Sequence, residues 1–191
     1  MTDDEPAENI SGGDAGGGQA TVFKTGQPAT RAEAVVDRLG KLYWQKTYGG
    51  QNAFESLVRT ILSQNTSDTA SQPAHDSLME RYGSGDLVAN LAEADQQRLA
   101  ETISSAGLYN QKSERIVTIA GRIREQYGNE AAFDEFVREG DADEVRDSLL
   151  AYNGVGPKTA DCVLLFAGGQ DGVFPVKTGY TYRHTILKSA V

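Results

Sequence analysis

The stretch "LLAYNGVGPKTADCVLLFA", Leu149 to Ala167, decides the fold. It consists of the end of one helix, a glycine turn and the start of another helix. Gly154 and Gly156 open backbone angles closed to other residues and allow a second chain to approach closely. Val155 between them is placed to pack inward and pin the hairpin. Pro157 suits a first helical position, where its missing N–H costs nothing. The segment from Lys158 on is apolar almost all round, which predicts a buried helix. The free N–H groups of such a turn sit at the positive end of a helix dipole, a ready site for an anion. The plain alternative is a helix–helix turn whose glycines only cap the first helix.

Working outward, the surrounding chain has the same helical character. Val35, Val36, Leu39, Leu42 and Tyr43 recur at three-to-four spacing, predicting a helix from about Thr30 to the Gly49–Gly50 pair. Phe54, Leu57, Val58, Ile61 and Leu62 form the next stripe. A further helix is expected over "SDTASQPAHDSLMERYG", capped by Ser67 or Asp68 and stopped at Gly83. Pro73 inside it predicts a kink or a late start. Shorter helices are expected over Asp86 to Leu91 and near Ala94 to Ser105. Ile116, Ile119 and Ile123 share one face of a long helix. Residues 141–152 make another, with Val145, Leu149 and Leu150 turned inward. No run of alternating strand residues stands out. The expected fold class is all-α, about eight helices joined by short loops.

Composition bounds the function classes. The chain has 191 residues, 39% of them hydrophobic, and a formal net charge of −9. Residues 1–28 are glycine-rich and acidic and are expected to be disordered. They lack the basic and apolar regions of a signal peptide, and no apolar run reaches the ~20 residues of a membrane span. Cys162 is the one cysteine, so neither a disulfide nor a cysteine-rich metal site is expected. An intracellular, cytoplasmic location is the simplest expectation, and the acidity fits a salt-adapted protein. An acidic body argues mildly against binding a phosphate backbone, although a local donor site overcomes that.

With these residues set out, "LLAYNGVGPKTADCVLLFA" resembles the helix-hairpin-helix of the endonuclease III family of DNA glycosylases. "LVRTILSQNTSD" (Leu57–Asp68) is similar to that family's first DNA-contacting helix and loop. "GLYNQKSERIVTIA" (Gly107–Ala120) is similar to its segment leading into the middle of the helical domain. The resemblance covers roughly Thr30 to Val176. It implies a helical domain over 29–176, with the helix-hairpin-helix at about 144–168. The implied activity is that of a base excision repair glycosylase and abasic-site lyase acting on oxidised pyrimidines. The implied partner is double-stranded DNA carrying a damaged base or an abasic site, bound by a monomer.

Carried over residue by residue, the resemblance makes Lys158 the amine nucleophile, which attacks the sugar C1′ and forms a Schiff base. A first-turn position and partial burial both disfavour an ammonium. The plain alternative is a lysine that only contacts a phosphate. Gly154, Val155, Gly156, Lys158 and Thr159 form the expected DNA-binding turn. Gln64 or Asn65 is expected to fill the gap left by a flipped base, Asn65 being the matched position; an ordinary polar loop or helix cap is the alternative for both.

The resemblance breaks after the buried helix. In "FPVKTGY" (Phe174–Tyr180), Lys177 occupies the position of the family's aspartate, which stabilises a cationic sugar transition state. An ammonium there opposes that charge, so weak or absent catalysis is expected. The four cysteine ligands of the family's iron–sulfur cluster have no counterpart, so no cofactor is expected. Residues 177–191 carry Lys177, Arg183 and Lys188 and no acid, unlike the body. That change marks a divergent tail, and the expectation is a fold incomplete at the C-terminus, from an interrupted reading frame. The competing expectations are a DNA-binding remnant without catalysis, and an all-α interaction module.

Overall fold

A computed structural model describes residues 19–21, 27–42, 45–47, 52–170, 173 and 175. Among these, nine α-helices follow one another: α1 (Arg31–Leu42), α2 (Ala53–Ser63), α3 (Asp68–Tyr82), α4 (Leu87–Ala92), α5 (Gln96–Thr102), α6 (Tyr109–Tyr127), α7 (Glu130–Glu139), α8 (Ala142–Leu150) and α9 (Pro157–Phe166). A 3-10 turn, Ser104–Ala106, leads into α6. The helical expectation holds. One small addition is a ribbon of two three-residue strands, β1 (Gln19–Thr21) and β2 (Gln45–Thr47), antiparallel with Ala20 opposite Lys46. Disorder through residue 28 is therefore corrected at Gln19–Thr21, where pairing with β2 satisfies backbone groups that local sequence alone leaves open. The first helix is likewise shorter than its apolar spacing implied: α1 stops at Leu42 and β2 takes up Gln45–Thr47.

α2 is the central helix. Phe54, Leu57, Val58, Ile61 and Leu62 are each no more than 1% exposed, and α3, α6, α7 and α9 pack around them. Each fully buried side chain of this kind contributes roughly 1.5–3 kcal/mol of hydrophobic transfer energy. The helix starts are tied together by side chains. Asn52 caps α2 by accepting from Glu55 N at 2.9 Å, and its amide donates to Glu130. Glu130, at the start of α7, accepts from Leu87 N at 2.6 Å, and Asp86 accepts from Glu130 N at 3.1 Å. Burial pushes the Glu130 carboxyl up, against the hydrogen bonds from Leu87 and Asn52.

Several local expectations change. Pro73 neither delays nor interrupts α3, which is helical from Asp68. Only the Thr69 carbonyl loses a donor, because the proline sits one turn in. Ser67 is the cap residue, but its hydroxyl meets Thr69 Oγ1 at 2.9 Å instead of the helix backbone. Helix α7 has no counterpart in the expected set; its cap Asn129 and its buried Phe133 and Val137 carry the pattern. Leu150 is 36% exposed rather than inward, since α8 ends there and the chain turns toward the hairpin.

Candidate nucleic-acid interface

The hairpin joins α8 to α9 through Ala151–Gly156. Tyr152 N donates to Leu149 O and Val155 N to Tyr152 O, both at 3.1 Å, which closes the turn. Gly154 has φ +83°, a left-handed angle that a side chain resists. An added Cβ there would also lie 2.7 Å from Arg115 Cδ. Val155 is 6% exposed and joins the core, as its position between two glycines implied. The N–H groups of Gly154, Gly156, Lys158 and Thr159 take no backbone acceptor among the described residues; the first bond of α9 is Ala160 N to Gly156 O, at 3.0 Å. A cluster of open donors at a helix start is the arrangement that binds phosphate.

The hairpin's angle is held from two sides. Arg146 of α8 pairs with Asp161 of α9 at 2.9 Å, and Asp161 is 4% exposed. Burial raises the Asp161 carboxyl, and the Arg146 guanidinium opposes that shift. From α6, Arg122 donates to Ala151 O at 2.7 Å and lies over the Tyr152 ring, and Tyr152 donates to Gln126 Oε1 at 3.0 Å.

Lys158 is the second residue of α9, and its side chain is exposed. The expected partial burial is thus absent. Thr159 differs from its expected place at the DNA surface. It is 6% exposed, and its hydroxyl is turned inward to accept from Gln64 Nε2 at 3.2 Å.

The loop between α2 and α3 separates the two amides that the sequence left as alternatives. Gln64 ends α2 and donates to Gly154 O at 3.1 Å as well as to Thr159, so it braces the hairpin. Asn65 is exposed and has φ +53°, an angle asparagine tolerates better than most residues. Of the two, Asn65 is therefore the amide without a hydrogen-bond partner among the described residues.

Four further residues were not legible in the sequence. Leu108 caps α6 with φ +48° and is 53% exposed, an apolar side chain held outward on a strained backbone. Thr66 donates to Ala106 O and so joins the Asn65 loop to the turn carrying Leu108. Lys112 is 1% exposed; burial pushes its ammonium down, and nearby Arg115 adds to that. Arg115, with Gln111, Glu114, Thr118, Ile119 and Asn153, lines a cleft of about 160 Å³ beside the hairpin. The one signal available in advance was Lys112 itself, a charge one helical turn before Ile116 and so in line with the buried stripe of α6.

Lys177 lies outside the described residues. Among them, no group of three His, Cys, Asp or Glu side chains is placed to hold a metal ion. Cys162 is buried in α9, where burial raises its thiol. One inward thiol among the described residues does not make a four-thiolate site. No helix among the described residues is long and apolar enough to cross a membrane.

Comparison with known proteins agrees with this geometry. The chain is 36% identical over 111 residues to an endonuclease III of Thermotoga maritima, covering 58% of this chain and 46% of that one. A solved non-covalent endonuclease III–DNA complex is 25% identical with a TM-score of 0.54, over 70% of this chain and 56% of that chain. A Helicobacter pylori 3-methyladenine DNA glycosylase bound to 1,N6-ethenoadenine is 27% identical with a TM-score of 0.53, over 61% and 53%. The chain spans about half the length of the curated relatives it matches. The family described as HhH-GPD superfamily base excision DNA repair protein matches residues 58–185, which takes in the Asn65 loop, α6 and the whole hairpin. By that match, and by the hairpin and loops it spans, the chain belongs to the HhH-GPD superfamily of base excision DNA repair proteins.

Proposed function

We propose that this chain binds duplex DNA at a damaged base or abasic site and acts there as a glycosylase with abasic-site lyase activity. The observation that carries the reading is Lys158: an exposed amine one residue into α9, beside the open N–H donors of the Gly154–Gly156 turn. The donors take a backbone phosphate, which brings the amine to the sugar next to it. Asn65 then fills the space of the flipped base, and Leu108 enters the stack as an apolar wedge. The neutral amine attacks C1′ of the abasic aldehyde, loss of water leaves an iminium, and removal of a C2′ proton expels the 3′ phosphate. The resemblance to endonuclease III points to oxidised pyrimidines, to action as a monomer, and to work inside the cell.

A second reading, a DNA-binding protein without the covalent step, has its own observation. Lys177 stands in "FPVKTGY" where the resemblance calls for an aspartate. Borohydride treatment on abasic-site duplex separates the two, since it reduces the iminium to a stable secondary amine. The lyase reading expects a covalent adduct that Lys158→Ala lowers about 10³-fold or more. Lesion-selective binding with no adduct from the unaltered chain leaves the second reading standing.

A further inference from the structure

Lys112, the fourth residue of α6, has an unusual role for a buried cation. Its ammonium donates to Leu62 O at 2.7 Å, Thr66 Oγ1 at 2.8 Å and Ala106 O at 2.8 Å. All three acceptors are neutral, and the pairings of Lys112 among the described residues include no carboxylate. Burying an ammonium without a counter-charge is costly, and a leucine or methionine fills such a space more cheaply. The acceptors explain the expense. Leu62 lies in the last turn of α2, where carbonyls favour a cation. It is followed by the loop that exposes Asn65. Ala106 ends the 3-10 turn and is followed by Gly107 and the outward Leu108. Thr66 belongs to the first segment and itself donates to Ala106 O in the second. One ammonium thus fastens together two loops, each offering an exposed side chain on a left-handed backbone, Asn65 at φ +53° and Leu108 at φ +48°.

We infer that Lys112 is the positioning residue of the lesion-reading face. It holds Asn65 and Leu108 at a fixed separation, so that both enter the duplex in one event, and the preference for damaged over intact DNA depends on that clamp. This rests on the proposed binding of damaged duplex. Intact DNA, met chiefly by the hairpin's backbone donors, does not call on it.

The test compares the full chain with Thr66→Val and Lys112→Met. Thr66→Val keeps the shape of the side chain and removes only the hydroxyl between Lys112 and the second loop. Binding is measured by fluorescence anisotropy on a duplex holding a tetrahydrofuran abasic-site analogue and on the same duplex intact. A 2-aminopurine opposite the analogue reports insertion by its change in stacking, and thermal unfolding is followed alongside. The expected result is a preference in the unaltered chain that falls about 10-fold in both variants, on the scale that misplacing a binding group costs. Affinity for intact duplex holds, and the 2-aminopurine response shrinks. A purely structural lysine would lower the unfolding temperature while leaving preference and stacking signal alone; that outcome in Thr66→Val overturns the inference, and Thr66→Val decides by itself where Lys112→Met does not fold. An unaltered chain that binds both duplexes equally overturns the functional reading first, and the clamp with it.

Discussion

The hairpin and the pair of loops joined to it through Gln64 are built on different principles. The hairpin offers backbone: open N–H groups at the start of α9, made available by Gly154 and Gly156. Such donors answer to any phosphate and carry no information about the base. The loops offer exposed side chains, Asn65 and Leu108, which on the proposed function act only where the stack opens. Their backbones are strained and their order comes from remote partners: Gln64 on the hairpin, and Lys112 beneath both. On the proposed function, the difference makes general affinity and lesion reading separable, and each is expected to break alone.

The largest effect is expected at Gly154. Alanine there must keep φ +83° and displace Arg115, whose Cδ lies 2.7 Å from the new Cβ. The cost is about 1–2 kcal/mol, since the arginine tip can move but the backbone cannot. That corresponds to a fall of roughly 2–8 °C in unfolding temperature for a chain of this size. Affinity for damaged and intact duplex falls together, by anisotropy. A variant that loses only lesion preference would merge the two regions the comparison holds apart.

Asn65→Gly breaks the other side. Glycine adopts the left-handed angle freely, so stability changes by less than about 0.5 kcal/mol. Preference for the abasic-site analogue is expected to fall while intact-duplex affinity stays. Urea denaturation and paired binding curves check both halves.

Leu108→Asn sharpens the idea that strain is kept for function. Asparagine suits φ +48° better than leucine, and a 53% exposed leucine loses little burial on replacement. The variant should be about 0.5 kcal/mol more stable and yet poorer at distinguishing damaged DNA. Equal or lower stability would show the angle is not a burden.

The smallest effect concerns the scaffold of the Asn65 loop. α2 and α3, which that loop connects, are fastened by His75 Nε2 and Glu55 Oε1 at 3.2 Å. The hydrogen bond with His75 holds the Glu55 carboxyl below its usual range. A carboxyl lowered on folding contributes stability that is present above its unfolded value of about 4.3 and is lost as pH falls through the lower, folded value. Urea midpoints of the unaltered chain and Glu55→Gln should therefore differ at pH 6 and converge toward pH 3. Convergence with no change in lesion preference at pH 6 would place this pair in the scaffold alone.

Much of the fold was legible because its cues are local. Apolar spacing located α2 and α6, and Gly83 marked the end of α3. α7 was missed although its cap Asn129 and its Phe133–Val137 pair were in plain view. β1 was not readable, since its partner lies more than twenty residues away and no local signal announces it. Around the hairpin, the glycine turn, the inward Val155 and the place of Lys158 in the first turn of α9 followed from residue type and order. Thr159 and Gln64 did not, because each looks outward in sequence and is turned to the other in space.

By itself, then, the sequence determined the helical class, the hairpin and the resemblance that the family match confirms, because turn chemistry, helix starts and apolar periodicity act within a few residues of themselves. Only the tertiary structure decided which amide is free, that Leu108 stands outward, and that Lys112 lies beneath both loops. Those outcomes rest on hydrogen bonds between groups 90, 50 and 40 positions apart, Gln64 with Gly154, Lys112 with Leu62 and Thr66 with Ala106. Whether a polar side chain is a brace or a reader depends on which partners folding brings within about 3 Å, and residue type does not encode that distance.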